Sequence, residues 1–124
     1  MRSIGEFDDF DIRIEDMVQL DNDWLKYKVI EYAEDFGTRP AGKALKTDVL
    51  NIIKRTGKPI ILDFAGIAIV GSSFIDEFVA KMYVDLGSVK FNQLISIVNM
   101  NDELVHLCNR AIAMRINQAW ETKE

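Results

Sequence analysis

Residues 59–86 read PIILDFAGIAIVGSSFIDEFVAKMYVDL, and this stretch decides the fold. Its first part, residues 60–63, is a short apolar run directly after a proline, which predicts a buried strand. In its last part, residues 74–86, apolar side chains recur at helical spacing, and we expect the helix to end at Gly87. Between the two, residues 66–71 form a glycine-bracketed apolar connection, either a short edge strand or an extended turn. The stretch therefore predicts a buried strand that passes through a turn into a helix.

The start of this helix carries hydroxyl and carboxylate side chains. We expect Ser72 or Ser73 to be the N-cap, because a serine hydroxyl accepts a hydrogen bond from an otherwise unpaired amide of the first turn. Asp76 and Glu77 follow, and carboxylates are favoured near the positive end of the helix dipole. Adjacent helical side chains point about 100° apart, so these two do not converge on one atom as an acid–base pair without a third group. In an alternative arrangement, Glu77 turns inward and binds the guanidinium of Arg39.

The flanking sequence alternates between strand and helix patterns. We expect a strand at residues 27–36, a turn at the GTRPAG sequence of residues 37–42, a helix at residues 44–55 and a second apolar strand at residues 94–98. A last helix is expected to begin with Asp102 as its N-cap. Its apolar stripe is formed by Leu104, Leu107, Cys108, Ala111, Ile112 and Met114, and Trp120 is expected to close it against the body. This alternation predicts an α/β layered fold, with helices packed on a mixed or largely parallel sheet.

Composition and charge indicate one domain and argue against several functions. The 124 residues are 48% hydrophobic and 28% charged, and no apolar run approaches the ~20 residues needed to span a bilayer. A single cysteine cannot form an internal disulfide, so we expect a cytoplasmic protein. Residues 1–35 hold eleven Asp or Glu and four Lys or Arg, whereas nucleic-acid binding needs clustered cations. We expect neither nucleic acid nor membrane as a partner. Residues 1–26 are assigned to an acidic N-terminal extension, with a half-exposed strand at residues 11–15, and residues 27–124 to the main part of the domain.

The sequence contains no recognisable catalytic or metal-binding set. His106 has no Cys, Asp or Glu at a metal-ligand spacing. Cys108 lies on the apolar stripe of the last helix and is expected to be a small core residue. The GTRPAGK sequence of residues 37–43 lacks the glycine spacing and the Lys-Ser/Thr ending of a phosphate-binding P-loop. We therefore predict a protein that is not an enzyme and that holds neither a cofactor nor a metal.

Three segments carry a resemblance to a known family. LDFAGIAIVGSSFIDEF, residues 62–78, resembles the STAS domains of anti-sigma factor antagonists and of sulfate-transporter tails, in which a strand ending in Asp leads to a serine at a helix start. More specifically, DFGTRPAG, IILDFAGI and SSFIDEF together resemble a STAS-like family of unknown function, whose members share a G-R-x-x-G turn and an S-F-x-x-E helix start. The resemblance covers about residues 28–98 and implies a STAS-like layered fold.

The same resemblance implies a regulatory function. In anti-sigma antagonists a partner kinase phosphorylates the helix-start serine, and the added charge breaks the complex. That serine corresponds to Ser73 here, with Ser72 beside it as a second possible phospho-acceptor. Two positions earlier, where those proteins have an acidic residue, this chain has Gly71, and their following small glycine is Phe74. The implied partner is a histidine-kinase-like ATPase, and the expected contact surface comprises residues 66–78 and the GTRPAG turn, with Arg39, Gly71, Phe74, Asp76 and Glu77 as partner-binding residues.

Two other functions remain compatible with the sequence. One is a self-assembling scaffold subunit, a homo-oligomer that uses the acidic N-terminal segment against a second copy. The other is a sensor of a small molecule or nucleotide, with its pocket at the strand ends where open α/β sheets bind ligands. The resemblance favours a regulatory protein–protein interaction module over both.

Overall fold

The computed structural model describes the backbone of residues 24–123 and the side chains of residues 24–118. The predicted strand at residues 11–15 and the side chain of Trp120 lie outside this description. The elements follow in the order β1 (Leu25–Lys28), α1 (Val29–Tyr32), α2 (Arg39–Thr56), β2 (Ile60–Asp63), α3 (Ser72–Ile75), a π-helical segment (Asp76–Ala80), α4 (Lys81–Leu86), α5 (Ser88–Leu94), β3 (Ile95–Val98) and α6 (Asp102–Lys123). Because α3, the π-helical segment and α4 are continuous, we call residues 72–86 the central helix.

The three described strands form one parallel sheet in the order β1-β2-β3. Ile60 of β2 is in register with Leu25 on one side and Ile95 on the other. All four residues of β2 are buried, as expected for a strand with neighbours on both edges and helices on its faces. The structure confirms the predicted β2 and the α/β layered fold with a parallel sheet.

The first strand is shorter than the sequence predicts. Lys28 is in register with Asp63, so β1 ends where its partner β2 ends. The chain then forms the single turn α1, in which the Ala33 amide donates to the Val29 carbonyl at 3.1 Å. The prediction of a strand to residue 36 is therefore wrong beyond Lys28. At the other end, β1 begins at Leu25, so its first two residues come from the segment assigned to the N-terminal extension.

Helix α2 begins at Arg39, five residues before its predicted start. Thr38 is the N-cap, and its side chain accepts a hydrogen bond from the Ala41 amide at 3.3 Å. Pro40 lies in the first turn, where its missing N–H leaves no helical hydrogen bond unmade. The sequence prediction treated this proline as part of a turn, although proline is also favoured at a helix start. Gly57 is the C-cap of this helix, with a left-handed φ of 69° that favours glycine.

The central helix is capped by glycine rather than by serine. Gly71 is the N-cap, with φ −82° and ψ 152°, and its carbonyl accepts a hydrogen bond from the Ile75 amide at 3.2 Å. Its own amide donates to the Phe36 carbonyl at 2.7 Å, which holds this part of the chain against the turn before α2. Because that contact sets where the helix begins, Ser72 and Ser73 become its first two helical residues. The prediction that one of them is the N-cap is wrong.

The second half of the chain adds one helix that the sequence did not reveal. Gly87, with φ 85°, ends the central helix as predicted, and α5 follows at once. Its Phe91 packs against Tyr83 with ring centroids 5.0 Å apart. At the start of α6 the N-cap is Asn101, whose side chain accepts a hydrogen bond from the Leu104 amide at 2.8 Å. Asp102 is the first helical residue, so its predicted capping role is wrong by one position.

The last helix faces the core with residues spaced four apart. Leu104, Cys108 and Ile112 are buried, which agrees with the predicted apolar stripe. Met114 follows Ile112 by about 200° around the helix and is 57% exposed, so its assignment to the stripe is wrong. Within residues 24–123, none of the helices combines the length and hydrophobicity needed to cross a membrane.

Candidate binding cleft at the start of the central helix

Two arginines from different helices bind the carboxylate of Asp76. Arg115 donates from Nε to Oδ1 at 2.8 Å and from a terminal nitrogen to Oδ2 at 2.6 Å, which is a bidentate pair. Arg39 donates to the same Oδ2 at 2.7 Å and to Glu77 Oε1 at 3.3 Å. The structure thus confirms the alternative in which Glu77 turns toward Arg39. The sequence predicted that Asp76 and Glu77 meet only through a third group, and Arg39, which binds both carboxylates, is that group.

A close helix crossing brings these residues together. Gly42 lies under the central helix, where an added Cβ would be 2.5 Å from the Phe74 carbonyl oxygen and 3.2 Å from Glu77 Cβ. Only glycine allows this approach, and it places Arg39, at the start of α2, beside Asp76. The glycine of the Arg39-Pro-Ala-Gly42 sequence therefore has a packing role that positions the site.

Both carboxylates are held in their ionised form. The hydrogen bond from Arg115 is the largest influence on Asp76, and with that from Arg39 it outweighs burial and lowers the pKa to about 2. Burial raises the pKa of Glu77, but hydrogen bonds from Lys81 and Arg39 outweigh it, and the net pKa is lowered. A carboxylate whose pKa lies below its usual range is a weak general base, and it is not protonated at neutral pH to act as a general acid. The cluster is therefore an ion-pair network rather than a catalytic pair.

A surface cleft of about 520 Å³ opens beside this network, between the start of the central helix and α6. It is lined by Arg39, Ser72, Asp76, Leu107, Arg110, Ala111, Met114, Arg115 and Gln118. The lining combines three guanidinium groups, one carboxylate, one hydroxyl, one carboxamide and an apolar part contributed by α6. This cleft is the candidate functional site, and it lies between helices rather than at the ends of the strands.

At the carboxyl edge of the sheet, Asp63 has a structural role. Its Oδ1 accepts hydrogen bonds from the Ala65 amide at 2.9 Å and from the side chain of Asn99 at 2.8 Å. These bonds tie the loop after β2 to the end of β3, where Asn99 has a positive φ of 62°. The aspartate that ends the predicted strand therefore fixes the path of the chain toward the central helix.

The serines and glycine of the predicted site differ in their surroundings. Ser72 is exposed and lines the cleft, whereas Ser73 is only half-exposed. Gly71 packs on the backbone of Gly37, and an added Cβ would lie 2.8 Å from the Gly37 carbonyl oxygen. An acidic side chain, such as anti-sigma antagonists have at this position, has no room here without a shift of the neighbouring turn.

Phe74 and Glu77 lie deeper than the sequence suggests. The Phe74 ring has no exposed surface and packs edge-on against Phe36 and Phe78, with centroids 6.0 and 5.8 Å away. The prediction that Phe74 faces a partner is wrong, because its ring belongs to the core. Glu77 is 6% exposed and is engaged by Arg39 and Lys81, so it offers a partner little surface.

Arg110 and Arg115 were missed by sequence analysis. They stand on the polar side of α6, where charged residues are usually solvated, and more than thirty positions separate them from Asp76. No spacing rule connects residues so distant in sequence. The sequence signal nearest to them was the apolar stripe of the last helix, which indicated that this helix packs on the body of the domain but not which polar residues border the contact.

Neither Cys108 nor His106 lines the cleft. Burial raises the pKa of the Cys108 thiol, which therefore stays protonated and inert in the core. His106 is exposed on α6. Among residues 24–118, no three His, Cys, Asp or Glu side chains are grouped so that they could hold a metal ion.

The parallel sheet, and the helix that starts after its central strand, define an α/β layered protein whose architecture agrees with a STAS-like fold. The chain belongs to the family described as "STAS-like domain of unknown function (DUF4325)", whose sequence profile matches residues 41–104, just over half of the 124 residues. This confirms the family resemblance drawn from the sequence. Comparisons with curated proteins and with solved structures gave no significant match. The matched segment includes Ser72 and Asp76, but Arg39, Arg110 and Arg115 lie outside it.

Proposed function

We propose that this protein is a non-enzymatic regulatory module that binds a protein partner on the surface around the cleft, and that phosphorylation of Ser72 controls this binding. The observation that carries the proposal is that the exposed Ser72 shares its cleft with the guanidinium groups of Arg39, Arg110 and Arg115. Membership of a STAS-like family supports a regulatory function by analogy with anti-sigma factor antagonists.

Exposure favours Ser72 over Ser73 as the phospho-acceptor. A kinase must bring the γ-phosphate of ATP to the serine oxygen, so that an O–P bond forms as ADP leaves and the hydroxyl proton is released. Ser72 presents an exposed side chain for this reaction, whereas Ser73 is partly covered. The product carries a charge of about −1.5 to −2 and three acceptor oxygens, which guanidinium groups bind well. Ser72 is therefore the better placed acceptor, although the family resemblance aligns the antagonist serine with Ser73.

The surface around the cleft has the composition of a protein interface. Ile69, in the loop before the central helix, is 77% exposed and lines a smaller groove of about 240 Å³. Leu107 and Arg110 line both this groove and the cleft, so the two form one continuous surface. The core of a protein interface is more apolar than the rest of the surface, and arginine is enriched there. The resemblance implies that the partner is a histidine-kinase-like ATPase, which would also be the kinase.

Phosphorylation is tested by incubating the purified chain with magnesium, ATP and each histidine-kinase-like ATPase encoded near it, followed by mapping with mass spectrometry. We expect phosphate on Ser72, its loss in Ser72→Ala, and its retention in the matched variant Ser73→Ala. Phosphate on Ser73 alone would overturn the assignment of the acceptor. No modification by any of these ATPases would overturn the switch.

Partner binding is tested by titrating the same ATPases against the unmodified chain in a surface or calorimetric binding assay. Ile69→Ser is expected to weaken binding about ten- to a hundredfold, since burial of an isoleucine side chain contributes roughly 1.5–3 kcal/mol. The control is Val89→Ser on α5, which removes a side chain that is 69% exposed but lies on another element. Equal effects of the two variants, or no binding by any ATPase, would contradict the proposed surface.

A further inference from the structure

The cleft between the central helix and α6 has a surplus of positive charge. Its lining contains the guanidinium groups of Arg39, Arg110 and Arg115 against the single carboxylate of Asp76. This charge is local, because the chain as a whole carries a net charge of −5. A concave surface with the opposite sign to the whole protein attracts small anions in preference to other parts of the molecule.

Two of these arginines are already held in position. Arg39 and Arg115 both bind Asp76, and their side chains are 51% and 28% exposed. Each guanidinium has five N–H groups, so binding Asp76 leaves donors on both that can face a ligand. Because the ion pairs fix the two side chains in advance, a ligand would not have to order them.

Arg110 is the free cation of the cleft among the described side chains. No carboxylate of residues 24–118 forms an ion pair with it, and its side chain is exposed. It stands on α6 between Leu107 and Met114, which supply apolar surface to the same cleft. Met114 is 57% exposed, which leaves its side chain available for contact with a ligand.

We propose that this cleft is a binding site for a small organic phosphomonoester. The phosphate group of the ligand binds Arg110 and the N–H groups of Arg39 and Arg115 that are not bound to Asp76. The organic group of the ligand packs on Leu107 and Met114. The lining charge of three guanidinium groups and one carboxylate balances a ligand dianion, which is the main form of a phosphomonoester at neutral pH. The cleft volume of about 520 Å³ lies within the roughly 300–1,000 Å³ usual for small-molecule sites.

This site goes beyond the proposed partner binding, because the ligand is a free molecule and needs neither a partner nor a kinase. The hydroxyl of Ser72 lines the same cleft, so a phosphate attached to Ser72 and a bound phosphomonoester would compete for the same donors. A ligand bound in the cleft would then change the charge of the surface that the partner contacts. Binding can be measured on the unmodified chain alone, so its failure is distinguishable from failure of the phosphorylation proposal.

The test is isothermal titration of the full chain with phenyl phosphate at fixed ionic strength, with phenol and inorganic phosphate as comparison ligands. We expect phenyl phosphate to bind at one site, inorganic phosphate to bind more weakly, and phenol not to bind. Absence of phenyl phosphate binding at millimolar concentrations would overturn the proposal. If inorganic phosphate binds as tightly as phenyl phosphate, the proposed contact of the organic group with Leu107 and Met114 is wrong.

Arg110→Gln is the decisive variant, because Arg110 makes no ion pair within the described residues whose loss could unfold the protein. We expect it to weaken phenyl phosphate binding at least about tenfold, as for loss of a charge-assisted contact. The control is Arg55→Gln, an exposed arginine in the last turn of α2, about 24 Å along the helix from Arg39. Equal loss in the two variants would show non-specific binding and overturn the site.

Discussion

Replacing Gly42 by alanine tests whether a close helix crossing builds the cleft. Gly42 lies in the first turn of α2, against the part of the central helix that carries Asp76 and Glu77. In a helix, alanine is favoured over glycine by up to about 1 kcal/mol. At an unobstructed position the substitution should therefore stabilise the protein, and any loss of stability has to come from the contact with the central helix.

The contact distances indicate that the loss outweighs the gain. An added Cβ at position 42 would lie 2.5 Å from the carbonyl oxygen of Phe74 and 3.2 Å from both Glu77 Cβ and the Phe78 amide nitrogen. Two of these three atoms belong to the backbone, so relief requires the two helices to move apart. Over-packing of this kind costs roughly 1–3 kcal/mol, and we place this case near about 3 kcal/mol. After the helix-propensity gain, we expect a net loss of about 2 kcal/mol in the free energy of unfolding.

Urea unfolding followed by circular dichroism measures this difference directly. The matched control is Gly37→Ala, in the turn before α2, where an added Cβ meets nothing within 4 Å. That variant should stay within about 0.5 kcal/mol of the parent protein. A Gly42→Ala protein that is as stable as the parent, or more stable, would refute the close crossing and with it the way Arg39 is positioned.

Two further perturbations test the network and the helix start. The pKa of Asp76 is lowered to about 2, so its ion pairs stabilise the fold above about pH 4, and this contribution is lost as the pH falls to about 2. Because solvent screens these partly exposed groups, the effect on the free energy of unfolding is limited to about 1 kcal/mol. Asp76→Asn should remove this part of the pH dependence, which urea unfolding between pH 5 and pH 2 measures. A pH profile unchanged by the substitution would contradict the network. Gly71→Ala should lower stability by roughly 1–3 kcal/mol, because its Cβ would lie 2.8 Å from the Gly37 carbonyl oxygen. Thermal unfolding checks this, and a melting temperature equal to that of the parent would count against the contact.

The sequence predicts the centre of the fold well, for a physical reason. Ile60–Asp63 is apolar at its first three positions, as a strand with neighbours on both edges and helices on its faces must be. The helical spacing after Ser73 and the stop at Gly87 were equally legible, because most residues of this helix are buried and its apolar side chains are correspondingly frequent. Strong burial leaves a clear pattern in the sequence.

Boundaries were harder to predict, since tertiary contacts decide them. Serine is a better N-cap than glycine in isolation, yet the helix begins after Gly71 because that residue lies against Gly37 and the Phe36 carbonyl. Helix α5 was missed because its seven residues, SVKFNQL, bury only Phe91 and so give no clear helical period. Short elements with one buried residue carry too little pattern to be recognised.

The candidate site could be predicted only in part. Arg39 and Glu77 were paired from the sequence as an alternative, and the structure shows this contact at 3.3 Å. Arg115, which makes the stronger bond to Asp76, belongs to a helix whose placement could not be deduced from periodicity. Local patterns thus identified the carboxylates, while the cations that complete the cleft needed the tertiary fold.

The geometry also bears on how a phosphate at the helix start would act. In anti-sigma antagonists an acidic residue stands two positions before the phosphorylated serine. When that serine is aligned with Ser73, the acidic position falls on Gly71, which lies against Gly37 and leaves no room for an acidic side chain. The nearest carboxylate in the cleft, Asp76, is instead neutralised by Arg39 and Arg115, and Arg110 adds a further positive charge. A phosphate on Ser72 would therefore enter surroundings that attract it rather than repel it. We infer that such a modification would leave the helix start folded and would act by changing the charge and shape of the surface offered to a partner.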